Sequence, residues 1–134
     1  MTNVVLDASV TASWLLEDEV DSEASGSLTL ARRDGALGPQ LWHYEVRNAL
    51  LIAQRRGRLR EDEVIERLES LGHLPILTDQ EPDLRAAMEL ANGHGLSFYD
   101  SMYLELALRR QLPLATFDRR LARAARAEDL DVVD

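Results

Sequence analysis

Four carboxylic acids stand where predicted strands end or predicted helices begin: Asp7, Glu45, Asp100 and Asp118. An acid at the carboxyl end of a parallel strand faces the crevice in which open α/β sheets bind ligands. Several carboxylates in one crevice repel one another, and a hard divalent cation relieves that repulsion because it prefers oxygen ligands. The four residues therefore predict an acidic site that binds a cation such as Mg²⁺.

Each acid also has a purely architectural explanation. Asp7 and Asp118 stand where they would cap the helices that follow them. Ser97 and Asp100 have the spacing of a capping box, and Glu45 in a first helical turn suits the helix macrodipole. With 24 acids in the chain, four at element boundaries are not rare. The metal-site interpretation requires that the strands ending at Asp7 and Asp118 be neighbours, so that both carboxylates emerge at one edge.

Three hydroxyl or amide side chains lie two or three residues from one of these acids: Ser9, Asn48 and Thr116. Each is spaced to orient a carboxylate or a metal-bound water, although ordinary capping and solvation use the same residue types. Arg119 and Arg123 follow Asp118 near one helix face, where they either contact phosphates or form a solvated surface. The histidines are scattered and are not expected to bind metal. The aromatic residues expected in the core are Trp14, Trp42, Phe98, Tyr99 and Tyr103.

The composition excludes several classes of protein. The chain has no cysteine, which excludes disulfides, thiolate zinc sites and cysteine nucleophiles. All fifteen basic residues are arginine, so a receiver domain or a haloacid-dehalogenase-type phosphatase, each of which needs a lysine, is disfavoured. The net charge of −9 argues against a general positive field for nucleic acid. No signal peptide and no apolar run near ~18 residues is present, which predicts a cytoplasmic protein with no membrane contact.

The 134 residues suit one domain spanning 1–134. Strands are predicted at residues 3–7, 36–38, 75–78, 113–117 and 131–133. Helices are predicted at residues 9–18, 22–33, 41–56, 61–71, 98–110 and 119–127, with another that begins near Thr78, Glu81 and Pro82 and ends near Gly93 or Gly95. Apolar strands that alternate with helices predict an α/β fold with a mainly parallel sheet of four or five strands.

Four stretches that carry the acids resemble, in order and spacing, the PIN-domain ribonucleases, specifically the VapC-type toxins of type II toxin–antitoxin systems. The stretches are Val4–Val10, Leu41–Leu50, Gly95–Leu104 and Leu112–Asp118. The resemblance implies a PIN-like three-layer sandwich, flanked by helices. It also implies that Asp7, Glu45, Asp100 and Asp118 bind Mg²⁺ or Mn²⁺, with Ser9 and Thr116 as supporting contacts.

The resemblance further implies an activity and partners. The activity is that of a hydrolase, an endonuclease that cleaves RNA phosphodiester bonds. The partners are an RNA substrate, a second copy of the chain in a homodimer, and a cognate VapB-type antitoxin. Two alternatives stay open at this point: a non-toxin PIN-domain nuclease that processes RNA, and a catalytically silent PIN-like binding module. The presence of all four acids argues against the silent module.

Overall fold

Strands and helices alternate along the chain in a computed structural model, which describes residues 3–17 and 26–133. The strands are β1 (Val5–Leu6), β2 (Ala36–Pro39), β3 (Ile76–Asp79), β4 (Leu114–Ala115) and β5 (Val132–Val133). The helices are α1 (Ala8–Leu16), α2 (Gly26–Asp34), α3 (Gln40–Arg55), α4 (Glu61–Leu71), α5 (Leu84–His94), α6 (Phe98–Arg110) and α7 (Arg119–Ala127). The predicted α/β class is confirmed.

The five described strands form one parallel sheet in the order β3-β2-β1-β4-β5. β1 and β4 are direct neighbours, with Val5 paired to Leu114 and Leu6 paired to Ala115. Because the two strands run in the same direction, the residues that follow them emerge at the same edge of the sheet. The neighbour relation that the metal-site interpretation required is therefore confirmed.

The core lies on the two central strands, which are short and entirely apolar. Val5, Leu6, Leu114 and Ala115 are inaccessible to solvent, as expected for parallel strands covered on both faces. The seven helices of the described residues flank the sheet, and the most extensive helix pairings are α5 with α6 and α1 with α3. The core thus fixes the relative positions of β1, β4, α3 and α6, which carry or precede the four acids.

Three predicted helices have the observed bounds, 61–71, 98–110 and 119–127. Gly57 follows α3 with φ of 78°, a left-handed conformation that suits glycine after a helix. Of the predicted helix 22–33, residues 22–25 lie outside the described residues. Among the described residues, no helix is long and apolar enough to cross a bilayer.

Two local predictions were wrong. The helix after β3 does not begin near Thr78, because Asp83 is its N-cap and accepts a hydrogen bond from Ala86 N at 3.0 Å. Thr78 instead belongs to β3, and its Oγ1 lies 2.6 Å from His43 Nε2. α3 begins at Gln40, which puts Glu45 in the second turn rather than the first. The macrodipole explanation for Glu45 therefore fails, since that effect is confined to the terminal turn.

Candidate active site

Asp7 lies directly after β1 and is only 6% exposed. It occupies the N-cap position of α1, yet its side chain makes no capping hydrogen bond. Its Oδ2 atom instead accepts hydrogen bonds from Ser9 Oγ at 2.7 Å and from Thr116 Oγ1 at 2.6 Å. Capping of α1 is therefore not the main role of this carboxyl, and the hydroxyl of Thr116 joins the ends of β1 and β4.

Burial is the main cause of a raised pKa for the Asp7 carboxyl. The hydrogen bonds from Thr116 and Ser9 oppose that shift, and repulsion from Asp118 adds to it. Among the residues that the structure describes, no arginine is one of the main causes of the shift. Asp7 is thus a buried acid that is oriented by neutral hydroxyls and left without a compensating positive charge.

The same hydroxyls position Asp118, which lies between the neighbouring strand β4 and α7. Thr116 Oγ1 accepts a hydrogen bond from Asp118 N at 3.0 Å, and Ser9 Oγ accepts one from Phe117 N at 3.2 Å. Asp118 caps α7 as predicted, because its Oδ1 accepts from Leu121 N at 3.0 Å. Its Oδ2 accepts no hydrogen bond from a residue that the structure describes. One oxygen of Asp118 therefore serves the fold, and the other is available to a ligand.

Glu45 lies on α3 and is half-buried. Burial raises the pKa of its carboxyl, as does repulsion from Asp7 and Asp100, while a hydrogen bond from Tyr103 lowers it. That bond joins the Tyr103 phenol to Glu45 Oε1 at 2.6 Å. Burial, together with the nearby Glu45, raises the pKa of Tyr103 far above its ordinary value, so the phenol stays a neutral donor. Tyr103 therefore ties the carboxylate of α3 to α6.

Tyr103 is the residue of this site that the sequence interpretation missed. It was correctly expected in the core and is completely buried, as Trp14 and Trp42 nearly are. The available signal was its position three residues after Asp100, which puts both side chains on one face of α6. The expectation for Tyr99 was wrong, because that side chain is 60% exposed.

Asp100 stands in the first turn of α6, where its backbone N donates to Ser97 Oγ at 3.1 Å. Burial raises the pKa of its carboxyl most, and repulsion from Asp118 and Asp7 raises it further. The repulsions therefore run between Asp7 and Asp118, between Asp7 and Glu45, and from Asp100 to the other three acids. The fold therefore brings the four carboxylates close enough that each is repelled by at least two of the others.

The donor set suits a hard cation, because it consists of carboxylates and hydroxyls with neither sulfur nor imidazole. Within residues 3–17 and 26–133, no three acidic or histidine side chains already stand at coordinating distance from one point. Mg²⁺ tolerates such a site, since it keeps several waters and takes only one or two carboxylates directly. The four acids therefore fit a hydrated divalent cation rather than a closed protein cage.

The other predicted residues divide into two groups. Ser9 and Thr116 contact Asp7, as described above. Asn48 is exposed on α3, and its side chain forms no hydrogen bond with the four acids in the described part of the chain. Arg119 and Arg123 are exposed, and with Asp118 they line a cavity of about 740 Å³. Their assignment to RNA phosphates remains a prediction.

Known proteins resemble this chain in sequence and in fold. The family model described as PIN domain matches residues 4–127. Ribonuclease VapC3 from Pyrobaculum aerophilum is 37% identical over 123 residues, which cover 89% of this chain and 92% of that protein. The crystal structure of PAE2754 from Pyrobaculum aerophilum superposes with a TM-score of 0.68 at 24% identity, covering 92% of this chain and 84% of the other.

FitAcB from Neisseria gonorrhoeae superposes with a TM-score of 0.61 at 18% identity, covering 98% of this chain and 96% of that one. These two structures share the fold of the present chain. The family match covers most of the sequence and includes the four acids. The chain therefore belongs to the PIN-domain family.

Proposed function

We propose that this protein is a metal-dependent endoribonuclease that acts as the toxin of a toxin–antitoxin pair. The observation that carries the proposal is the convergence of Asp7, Glu45, Asp100 and Asp118, three of which have raised pKa values partly because of one another. A PIN-domain relative that covers 89% of this chain is a ribonuclease by name, which supports the same activity.

Asp7, Asp100 and Asp118, with Glu45, would hold Mg²⁺ or Mn²⁺ at this edge of the sheet. The bound cation supplies activation of a water and neutralisation of charge at the scissile phosphate. Ser9 and Thr116 hold the Asp7 carboxylate in one orientation through their hydrogen bonds to Oδ2. Tyr103 does the same for Glu45, so the acids are preorganised by neutral donors. The four acids would thus concentrate negative charge at one place, and a bound divalent cation would balance it.

Arg119 and Arg123 would bind phosphates of the RNA beside the site of cleavage. Both are exposed on α7 and line the same cavity as Asp118. Guanidinium groups form paired, charge-assisted hydrogen bonds with phosphate oxygens. Because the chain carries a net charge of −9, its average field repels RNA. Local arginines are therefore needed to hold the substrate against that field.

We further propose a homodimer and a VapB-type antitoxin as partners. The charge of −9 suits an inhibitor with a basic segment. Exposed apolar side chains on α3 and α4, among them Ile52 at 40% and Ile65 at 53%, supply surface for association. Light scattering of the purified chain, alone and with the protein encoded by the neighbouring reading frame, tests both partners. A chain that stays monomeric and does not bind the protein encoded by the neighbouring reading frame would contradict both proposed partners.

The activity is tested by incubating a pool of RNA with the protein in Mn²⁺ and in EDTA. Cleavage should require the metal, and Asp118→Asn should reduce it by about 1,000-fold, more than the 10- to 100-fold typical of residues that only orient ligands. Asparagine is a good N-cap, so α7 should persist in that variant.

Asp79→Asn is the matched control, because Asp79 also ends a strand but is paired with Arg109. Its cleavage rate should be unchanged. Cleavage that survives in EDTA, or that Asp118→Asn leaves intact, would refute the proposed activity.

A further inference from the structure

Phe117 stands between two residues of the candidate site, Thr116 and Asp118, and its side chain is 52% exposed. Its backbone is held in place, because Phe117 N donates to Ser9 Oγ at 3.2 Å. Asp118 N is similarly bonded to Thr116 Oγ1. An aromatic ring is therefore presented to solvent on a rigid segment, immediately beside an acid of the proposed catalytic centre.

The ring lines the cavity of about 740 Å³ that also contains Asp118. This volume lies within the roughly 300–1,000 Å³ of pockets that hold small molecules. The wall has two kinds of surface, one apolar and one cationic. The apolar part comprises Phe117, Ala122, Val132 and Val133, and the cationic part comprises Arg119, Arg123 and Arg126.

We infer that this cavity is the subsite for an unpaired nucleotide next to the scissile phosphate. A nucleobase stacks on the Phe117 ring, and Arg119 and Arg123 bind the phosphate attached to it. The inference rests on the proposed ribonuclease activity and adds to it a residue, Phe117, that contacts the base beside the site of cleavage. A base inside a duplex is stacked on its neighbours, so its face is not free for Phe117.

The two surfaces together select a nucleotide. An aromatic face recognises the π-face that every base possesses, and it does so with little dependence on sequence. An arginine fork recognises phosphate oxygens in pairs. Phe117, Asp118 and Arg119 all line this cavity. The cavity therefore combines an aromatic face, an acid of the candidate site and a phosphate donor, which suit a base, a cleavage site and a flanking phosphate respectively.

The test measures binding of a fluorescein-labelled RNA of about 12 nucleotides by anisotropy, within the site sizes of single-strand binders. EDTA is present so that the RNA stays intact. The single strand is compared with a duplex of the same sequence. Phe117→Leu should raise the Kd for the single strand about tenfold, as loss of one stacking ring does, and leave the duplex unchanged. Phe117→Trp should restore the wild-type Kd.

Tyr44→Leu is the matched control, because Tyr44 is 60% exposed on α3 and does not line the cavity. Its Kd values should equal those of the wild type. Arg123→Gln should weaken single-strand binding and make the negative slope of log K against log salt less steep by about 0.7, the value for one phosphate contact on a single strand. Arg85→Gln, an exposed arginine on α5, should leave that slope unchanged.

Equal Kd values for wild type and Phe117→Leu would overturn the subsite. So would an equal loss for single strand and duplex, since the ring would then not act by stacking. A third contrary result is weakened self-association of Phe117→Leu with unchanged RNA binding, which would assign the ring to a protein interface. None of these results changes the Mn²⁺-dependent cleavage by the wild-type protein, so failure of the subsite and failure of the proposed activity are distinguishable.

Discussion

Asp7 and Asp79 both stand at the carboxyl ends of parallel strands, but they have opposite surroundings. Asp79 forms a two-fold hydrogen bond with Arg109, at 3.0 and 2.7 Å, and this arginine holds the pKa of Asp79 below its ordinary value. Asp7 accepts hydrogen bonds from the hydroxyls of Ser9 and Thr116 and is repelled by Asp118, and burial raises its pKa. Asp7 and Asp79 therefore occupy equivalent positions on the sheet, but the charges that surround them differ.

The difference separates an architectural acid from one that is available to a cation. Arg109 also donates to Glu105, which is 3% exposed, at 2.7 Å, so two acids and one arginine form a closed ionic group. That group joins α6 to the end of β3 and needs no further ligand. Among the main causes of the raised pKa values of Asp7, Glu45 and Asp100 there is no arginine, and a bound cation would supply the missing positive charge.

The largest expected effect comes from removing the arginine of the closed group. Arg109→Met should lower the free energy of unfolding by about 3 kcal/mol, because it leaves the buried Glu105 carboxylate unpaired. Mn²⁺ affinity should not change. Urea denaturation measures the first quantity and calorimetric titration the second.

Arg85→Met is the control for that experiment, because Arg85 pairs with Glu89 at 3.4 Å with its side chain 91% exposed. It should shift stability by less than about 0.5 kcal/mol. Equal stability losses in the two variants would mean that Arg109 is an ordinary surface charge and that Asp79 and Glu105 do not depend on it.

A smaller effect is expected from Tyr103→Phe, which keeps the ring and removes only the donor to Glu45. Mn²⁺ affinity should fall about tenfold, because Glu45 loses the hydrogen bond that orients it. Titration of the metal-free protein with Mn²⁺ measures this. Tyr44→Phe, an exposed tyrosine on the same helix as Glu45, should bind Mn²⁺ as the wild type does. Wild-type affinity in Tyr103→Phe would show that the phenol only fills space.

The smallest expected effect concerns the pH dependence of the free energy of unfolding, measured without metal for the wild type and two variants. Asp7, Glu45 and Asp100 have raised pKa values in the folded state, so above the ordinary 3.8 or 4.5 the folded chain retains protons that the unfolded chain loses. Their contribution to the free energy of unfolding is therefore favourable at low pH and is lost as pH rises through the folded pKa. Asp79 acts in the opposite sense, since its stabilisation is lost as pH falls below 3.8 through its lowered pKa.

Urea denaturation in EDTA, from about pH 4 to about pH 7, measures these slopes. Asp7→Asn should lose less stability than the wild type as pH rises, because it lacks one of the carboxyls whose pKa is raised in the folded state. Asp79→Asn should follow the wild-type slope over the same range. Superimposable profiles for Asp7→Asn and the wild type would contradict the raised pKa of Asp7.

Elements set by local pattern were predictable from the sequence, and elements set by distant contacts were not. The bounds of α4, α6 and α7 follow from apolar periodicity and local capping. The start of α5 was mispredicted because Thr78, which had the spacing of a cap, is bonded to His43 35 residues away. A local signal fails where a tertiary partner takes the same polar group.

The candidate site shows the same division. The four acids and the roles of Ser9 and Thr116 were predicted from spacing and family resemblance, and the pairing of β1 with β4 accounts for their convergence. The sequence could not show which acids are paired with an arginine, because Asp79 and Asp118 both follow a predicted strand. Only the contact with Arg109, 30 residues away, separates the two. Asn48 had the spacing of a supporting residue but faces solvent.

The central claim is that unpaired carboxylates at the β1–β4 edge bind a divalent cation, whereas the arginine-paired Asp79 does not. Titration of metal-free protein with Mn²⁺ by calorimetry tests it most directly, with Asp7→Asn and Asp79→Asn in parallel. The account predicts binding by the wild type and Asp79→Asn, and an affinity at least about 100-fold weaker in Asp7→Asn. Equal Mn²⁺ affinity in Asp7→Asn and Asp79→Asn, or no binding by the wild type, would contradict it.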